Sequence, residues 1–228
     1  MKTVIITAHG APSDPAPKQA VLDALAAQVQ ALCPDTDIRA ATLAAPGALA
    51  DALADVVDPI IYPFFMAEGW FTKREIPRRI AELGYQARHM DPFGVDPALP
   101  ALITTHVLAE LRAAGQDPQA SDLMLFAHGS KIARRSKNSA YDMAQTLRPM
   151  CGLRTINVGL IEEPPFIGDI AKEHLTGICL PFFALRASHV DEDIPEALQN
   201  AGFEGILLPP IGEHPEIPRL IANSINLF

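Results

Sequence analysis

Three histidines stand where they suggest chemistry. His9 and His128 lie in matching segments, "TVIITAHGA" (3–11) and "DLMLFAHGS" (122–130), each where a short apolar run gives way to a glycine turn. His189 lies in "LPFFALRASHVDEDIP" (180–195), and its counterpart "YPFFMAEGWFTKREIP" (62–77) carries Phe71 at the same place. Two adjacent carboxylates, Glu162 and Glu163, follow a further apolar run, "RTINVGL". Imidazole and carboxylate together suit a divalent first-row metal, and a small ligand set with open positions suits a metal in transit. Neutral imidazole equally takes up protons near neutral pH. These residues are too far apart in sequence for a compact motif such as HExxH, so only the fold can bring them together.

The elements that must do so are written twice. His9 answers His128 at an offset of 119 residues; Pro46 answers Pro164, and the Pro-Phe-Phe triplets at 63 and 181 answer each other, at 118. Landmarks in one order at a nearly constant offset indicate internal duplication. In each copy, apolar runs that read as buried parallel strands alternate with helical periodicity. The strands are "TVIITA", "DIRAATL", "PIIYPFF" and "YQARHMDPF", then "DLMLFA", "RTINVGL", "GICLPFF" and "EGILLPPIG". Helices are expected around Val21, Leu22, Leu25, Val29 and Leu32, around Tyr141, Met143, Ala144 and Leu147, and over "REIPRRIAELG" and "EDIPEALQNAG". The expected fold is α/β, with two similar domains, each a parallel sheet flanked by helices. The polar segment "RAAGQDPQASD" places the boundary, with domains at 1–115 and 120–228.

Ligands of open α/β sheets bind beyond the carboxyl ends of the strands. Strand ends of the second copy therefore deliver His128, Glu162, Glu163 and His189 to one edge. The first copy offers His9, Ala44, Ala45 and Phe71 at those positions, so it keeps one histidine of the set. Charge is also asymmetric. After His128 come Lys131, Arg134, Arg135 and Lys137, whereas the first copy carries Lys73, Arg74, Arg78 and Arg79 after its Pro-Phe-Phe strand. Facing a cleft, such clusters would clamp a ligand bearing several carboxylates.

Composition narrows the field. A net charge of −9 and a pI near 5.2 argue against broad nucleic-acid or anionic-membrane binding. No apolar stretch reaches the length of a membrane span, and the N-terminus lacks the pattern of a secretory signal. Cys33, Cys151 and Cys179 are scattered with no CxxC pair, which argues against a disulfide framework or a structural zinc site and fits a reducing cytoplasm.

"FAHGS" at 126–130, the later "PFF" strand, and a histidine followed by "DIP" resemble the sirohydrochlorin chelatases of the CbiX/SirB type, class II chelatases distantly related to protoporphyrin ferrochelatase. "TAHGA" and "YPFFMAEGWFTKREIP" resemble them more weakly, so the likeness spans most of the chain in a fused two-copy form. The resemblance implies insertion of Fe2+ or Co2+ into sirohydrochlorin, a tetrapyrrole with eight carboxylate side chains. It implies that His128 and His189 handle metal and pyrrole protons, with Glu162 or Glu163 as a further ligand or proton exit. Ser130, Lys131, Arg134, Arg135 and Arg186 would hold the substrate carboxylates. No cofactor beyond the metal substrate is implied, and the assembly would be a monomeric pseudo-dimer or a homodimer. The chain departs from the family in keeping its histidine pair in the second copy, and in having Ala187-Ser188 where a glycine is usual before the second histidine. The histidine-rich tract and cysteine cluster motif of longer cobalt-inserting forms are missing, which favours iron.

Several residues have plainer roles. His9 reads as structural, since its would-be partners are Ala44, Ala45 and Phe71. Glu192 and Asp193 complement a helix start. His89, His106 and His174 carry no constellation, and His214, beside Glu213, is a lesser candidate. A histidine phosphatase is disfavoured because alanine, not arginine, precedes both His-Gly pairs. A carrier of metal or tetrapyrrole without turnover uses the same ligands, and cobalt insertion for cobalamin is the rival within the family.

Overall fold

A computed structural model describes residues 2–129, 135–186 and 189–228, with the backbone alone at 135, 136 and 189. Ser130, Lys131 and Arg134 therefore lie outside the described residues, as do the side chains of Arg135 and His189.

The first sheet contains β1 (Lys2–Ala8), β2 (Thr36–Thr42), β3 (Ile60–Pro63) and β4 (Arg88–His89), all parallel, in the order β2-β1-β3-β4. The second repeats it with β5 (Asp122–Ala127), β6 (Thr155–Leu160), β7 (Ile178–Pro181) and β8 (Ile206–Leu207), in the order β6-β5-β7-β8. The central strands β1 and β5 are buried almost throughout, as continuous apolar runs covered on both faces must be. Each sheet has its switch point between its two inner strands, where connections leave in opposite directions and a crevice opens at the carboxyl ends.

The fourth strands shrink to two residues each, against the nine expected, because Pro92 and the pair Pro209-Pro210 remove the donors that would extend the ladders. Helices α1 (Pro15–Leu32), α2 (Ala48–Leu53), α3 (Ile76–Glu82) and α4 (Leu99–Ala113) accompany the first copy. Helices α5 (Arg135–Cys151), α6 (Ile167–Glu173), α7 (Ile194–Ala201) and α8 (Ile217–Leu227) accompany the second. On α1 the inward face is Leu22, Ala26 and Val29, while Val21 and Leu32 point outward; on α5, Met143, Ala144 and Leu147 are buried and Tyr141 is exposed.

Each of α3 and α7 is entered through one π-helical turn, Phe71–Glu75 and His189–Asp193. Pro77 and Pro195 sit just inside the α-helices that follow, and lack the N–H that would bond back into the preceding turn. Such turns re-aim the side chains that precede a helix. Ile76 and Ile80 then anchor α3 against Ile5, Ile61, Leu49 and Leu53. Ile194 and Leu198 anchor α7 against Met124, Phe126, Cys179 and Phe183.

The two compact units do not coincide with the two sequence copies. One contains the residues up to Asp96 together with Pro215–Phe228, and the other is Pro97–His214. Helix α8 packs on α1, fastened by Lys2 Nζ donating to the Ile225 carbonyl (2.6 Å) and by the Ser224 hydroxyl on Asp96. Helix α4 packs on α5, with Thr104 against Cys151 (3.3 Å) and His106 edge-on to His214, ring centroids 4.5 Å apart. The sequence boundary at 115–120 separates the repeats, whereas α4 packs on a helix of the second copy and α8 on a helix of the first. All three cysteines are buried thiols. Among the described residues, no helix is long and apolar enough to cross a membrane.

Candidate active site

The His-Gly turn is built the same way twice. Gly10 and Gly129 adopt φ of +78° and +72°, a conformation that favours glycine. A Cβ on Gly10 would meet Thr42 and Ala44 at 2.9–3.0 Å, and one on Gly129 would meet Leu160 and Glu163 at 3.2 Å. The turn therefore lies tightly on the end of the neighbouring strand. The His9 carbonyl accepts from Ala44 N (3.0 Å), and the His128 carbonyl accepts from Glu162 N (3.0 Å). These bonds make Ala44 and Glu162 structural equivalents, as the repeat requires. In each histidine Nδ1–H donates to the carbonyl of the following glycine, at 3.0 Å for His9 and 3.1 Å for His128. A carbonyl can only accept, so Nδ1 is the donor in each of these contacts.

The copies diverge around that shared turn. In the first, the ring of Phe71 lies edge-on to His9, centroids 4.5 Å apart. Phe65 stacks on Phe71 at 5.9 Å and Trp70 meets it at 5.0 Å. The edge that could have been polar is instead aromatic. His189 opens the second π-helical turn as Phe71 opens the first, so the backbone register is the same.

The two glutamates also part company. Glu163 is mostly buried and accepts from Lys137 Nζ at 2.6 Å, tying the first turn of α5 to the end of β6. The Glu162 carboxylate has no hydrogen-bond or ion-pair partner among the described residues, and its backbone is fixed on His128. Among the described residues no three metal-ligating side chains converge; the His189 side chain is outside that set.

Arg186 is engaged by its own chain. Nε and one terminal nitrogen grip Glu213 at 2.8 and 2.7 Å, and the other donates to Asp191 at 2.9 Å. These carboxylates, Glu213 first, hold its guanidinium protonated beyond the ordinary arginine range. The loop before His189 is thereby strapped both to the 3-10 turn Ile211–Glu213 and to the π-helical turn. At the equivalent place in the first copy, Glu68 pairs with Lys73, the same strap with its charges reversed.

The first-copy cations are similarly spent. Arg78 and Arg79 both bond to the buried Glu75, whose carboxyl they lower to about 2, and Arg79 also donates to the Leu43 carbonyl (2.6 Å). Arg74 alone of that group has no partner among the described residues. Sequence reasoning gave His174 no role. It binds the buried Asp122 with Arg154 and Thr155 (2.8–2.9 Å) at the amino end of β5, opposite the histidine edge, so its role is structural. Sequence reasoning also left Glu163 and Lys137 unpaired, since no local signal announces a contact across 26 residues.

Two parallel sheets with helices on both faces, each carrying a His-Gly turn at its switch point, define a duplicated α/β chelatase-like protein. The sequence profile of the CbiX family matches residues 3–110 and 122–226, and the chain belongs to that family. It is similar over 99% of both chains, at 44% identity and a TM-score of 0.91, to CbiX, the terminal enzyme for biosynthesis of siroheme in denitrifying bacteria. SirB from Bacillus subtilis with Fe3+ shares the fold at 16% identity, covering 99% of this chain and 95% of that one, with a TM-score of 0.76. The sirohydrochlorin chelatase SirB of Bacillus subtilis subspecies spizizenii, in complex with cobalt, shares it at 15% identity, 99% and 94% coverage and a TM-score of 0.71. No curated protein sequence matches the chain.

Proposed function

We infer that the protein is a cytoplasmic sirohydrochlorin ferrochelatase, inserting Fe2+ into sirohydrochlorin to give siroheme and two protons. The observation that carries this reading is the asymmetric repeat: one His-Gly turn faces Phe71, and its twin has a histidine, His189, in the same register. Kinship with a siroheme-forming enzyme supports iron over cobalt. Cobalt is the second reading, favoured by the cobalt-bound relative.

Insertion replaces two pyrrole N–H bonds with bonds to the metal, so a base must stand beside the ring. The metal must also shed water, which a few weak and exchangeable ligands assist. His128 takes one of these tasks and His189 takes the partner task. Of the two carboxylates, Glu162 is the better ligand or proton exit, because Glu163 is committed to Lys137. Ser130, Lys131, Arg134 and Arg135, next to His128 in sequence, hold substrate carboxylates. Arg186 instead braces the loop that carries His189.

The test is anaerobic insertion into sirohydrochlorin followed by absorbance, with Fe2+ and Co2+ in parallel. The reading expects Fe2+ insertion far above the protein-free rate and faster than Co2+. Preference for Co2+ would shift the assignment to cobalt insertion. Binding without acceleration of either metal would make the protein a carrier.

A further inference from the structure

The turn that carries His128 is held by more than backbone. The Glu163 side chain lies along Gly129: a Cβ on that glycine would meet Glu163 Cγ at 3.2 Å and Oε1 at 3.5 Å. The other oxygen of the carboxylate accepts from Lys137 Nζ at 2.6 Å. The Gly129 carbonyl in turn accepts from His128 Nδ1 at 3.1 Å. Three contacts therefore run from α5 to the imidazole, all within the compact unit Pro97–His214. Lys137 fixes the carboxylate, the stem of Glu163 packs on Gly129, and the Gly129 carbonyl holds the ring. The first copy has the turn and the ring contact, since Gly10 holds His9 at 3.0 Å, but it lacks this brace. Ala45 stands in the place of Glu163, and Gln19, at the offset of Lys137, bonds to Thr42 and Ala40 instead. With 13% of the Glu163 side chain and 34% of the Lys137 side chain exposed, the pair is partly desolvated, which offsets much of its attraction. Its presence beside the one histidine that has a histidine counterpart points to placement rather than to stability.

Resting on the chelatase reading above, we propose that Lys137 and Glu163 are positioning residues: the pair clamps the His128–Gly129 turn and so fixes the angle at which the His128 ring meets the metal or the pyrrole proton. Neither residue touches a reacting atom. Groups that orient a functional imidazole cost about 10- to 100-fold in activity when they are removed.

The test compares Glu163→Ala, which gives the second copy the residue of the first, with Lys137→Met, which keeps the stem and removes the cation. On protein with native far-ultraviolet circular dichroism, each should lower kcat for Fe2+ insertion by about 10- to 100-fold and change KM for sirohydrochlorin by less than about threefold. The double variant should be no worse than the weaker single one within about twofold, because both break one chain of contacts. Lys137→Arg should recover most of the rate. A second readout needs no turnover: the ring Cε1–H resonance of His128, identified by its absence in His128→Ala, should shift or broaden in both variants while that of His9 stays in place. A lowered Tm with kcat and this resonance unchanged would make the pair structural only and overturn the proposal. So would loss of rate in Glu163→Ala with Lys137→Met at the wild-type rate, which would make Glu163 a direct participant. A tenfold rise in KM at constant kcat in Lys137→Met would assign that lysine to the substrate and overturn it equally. A wild type that inserts neither metal overturns the chelatase reading, and the resonance alone then decides whether the pair sets the ring.

Discussion

Gly212 sits under the loop that leads to His189. Its N–H donates to the Phe183 carbonyl at 3.0 Å, and a Cβ placed on it would lie 1.9 Å from the Ala184 carbonyl oxygen. Ordinary contact begins near 3.4 Å, so Gly212→Ala must push this backbone away by about 1.5 Å. The obstacle is main chain, which cannot swing aside as a side chain would. The displaced segment runs into Arg186, and its three bonds to Glu213 and Asp191 would be stretched with it. Overpacking of this kind costs about 1–3 kcal/mol. For a chain of this size that lowers Tm by roughly 2–12 °C, leaving a folded protein. A displacement of about 1 Å at a reacting group costs on the order of 100-fold in rate. Gly212→Ala should therefore lower kcat for metal insertion by about two orders of magnitude, measured on protein whose far-ultraviolet circular dichroism is native. The first copy provides the control. A Cβ on Gly94 would likewise lie 2.1 Å from the Met66 carbonyl oxygen, so Gly94→Ala should cost similar stability. Its kcat should hold within a few fold. Equal loss of kcat in the two variants, or a Gly212→Ala protein with wild-type kcat, would refute the reasoning.

Three further outcomes are expected. Arg186→Ala should lower kcat while changing KM for sirohydrochlorin by less than about threefold; a tenfold rise in KM at constant kcat would return Arg186 to the substrate. Glu162→Gln should slow insertion by about 10- to 100-fold with little change in Tm, whereas Glu163→Gln should lower Tm by a few degrees through the lost Lys137 pair. Asp122→Asn should destabilise the protein by about 2 kcal/mol at neutral pH, since charge-assisted bonds to Arg154, with Thr155 and His174, hold that carboxyl below its usual range. A depressed carboxyl contributes above the unfolded value near 3.8 and loses its contribution as pH falls through the folded one. The Tm gap between wild type and Asp122→Asn should thus narrow progressively below about pH 4. A gap that is constant from pH 7 to pH 2 would contradict this.

Much of the architecture was legible because the chain states it twice. The nearly constant spacing between His9 and His128 and between the two Pro-Phe-Phe triplets pointed to two sheets of one topology, and the two sheets share one strand order. The helix exchange was not legible. An amphipathic helix such as α4 shows that it must bury a face, while nothing in residues 99–113 says which sheet will cover it. The π-helical turns were hidden because their residues read as ordinary helix, with only Pro77 and Pro195 to hint at a widened turn. Charged residues were the least readable. Arg186 reads as a free cation until folding brings Glu213 to it from 27 residues away, and Glu162 and Glu163 look alike until Lys137 takes one of them. Ion pairs between distant residues are decided by the packing of loops, and that packing carries no periodic signature.

The central claim is that metal chemistry resides in the copy with two histidines and not in the copy with one. Steady-state Fe2+ insertion by His128→Ala, His189→Ala and His9→Ala, with far-ultraviolet circular dichroism as the check on folding, tests it most directly. The account predicts loss of at least about 100-fold in the first two and a rate within about threefold of wild type in the third. Insertion that survives both second-copy substitutions and collapses in His9→Ala would contradict it, and would place the chemistry beside Phe71.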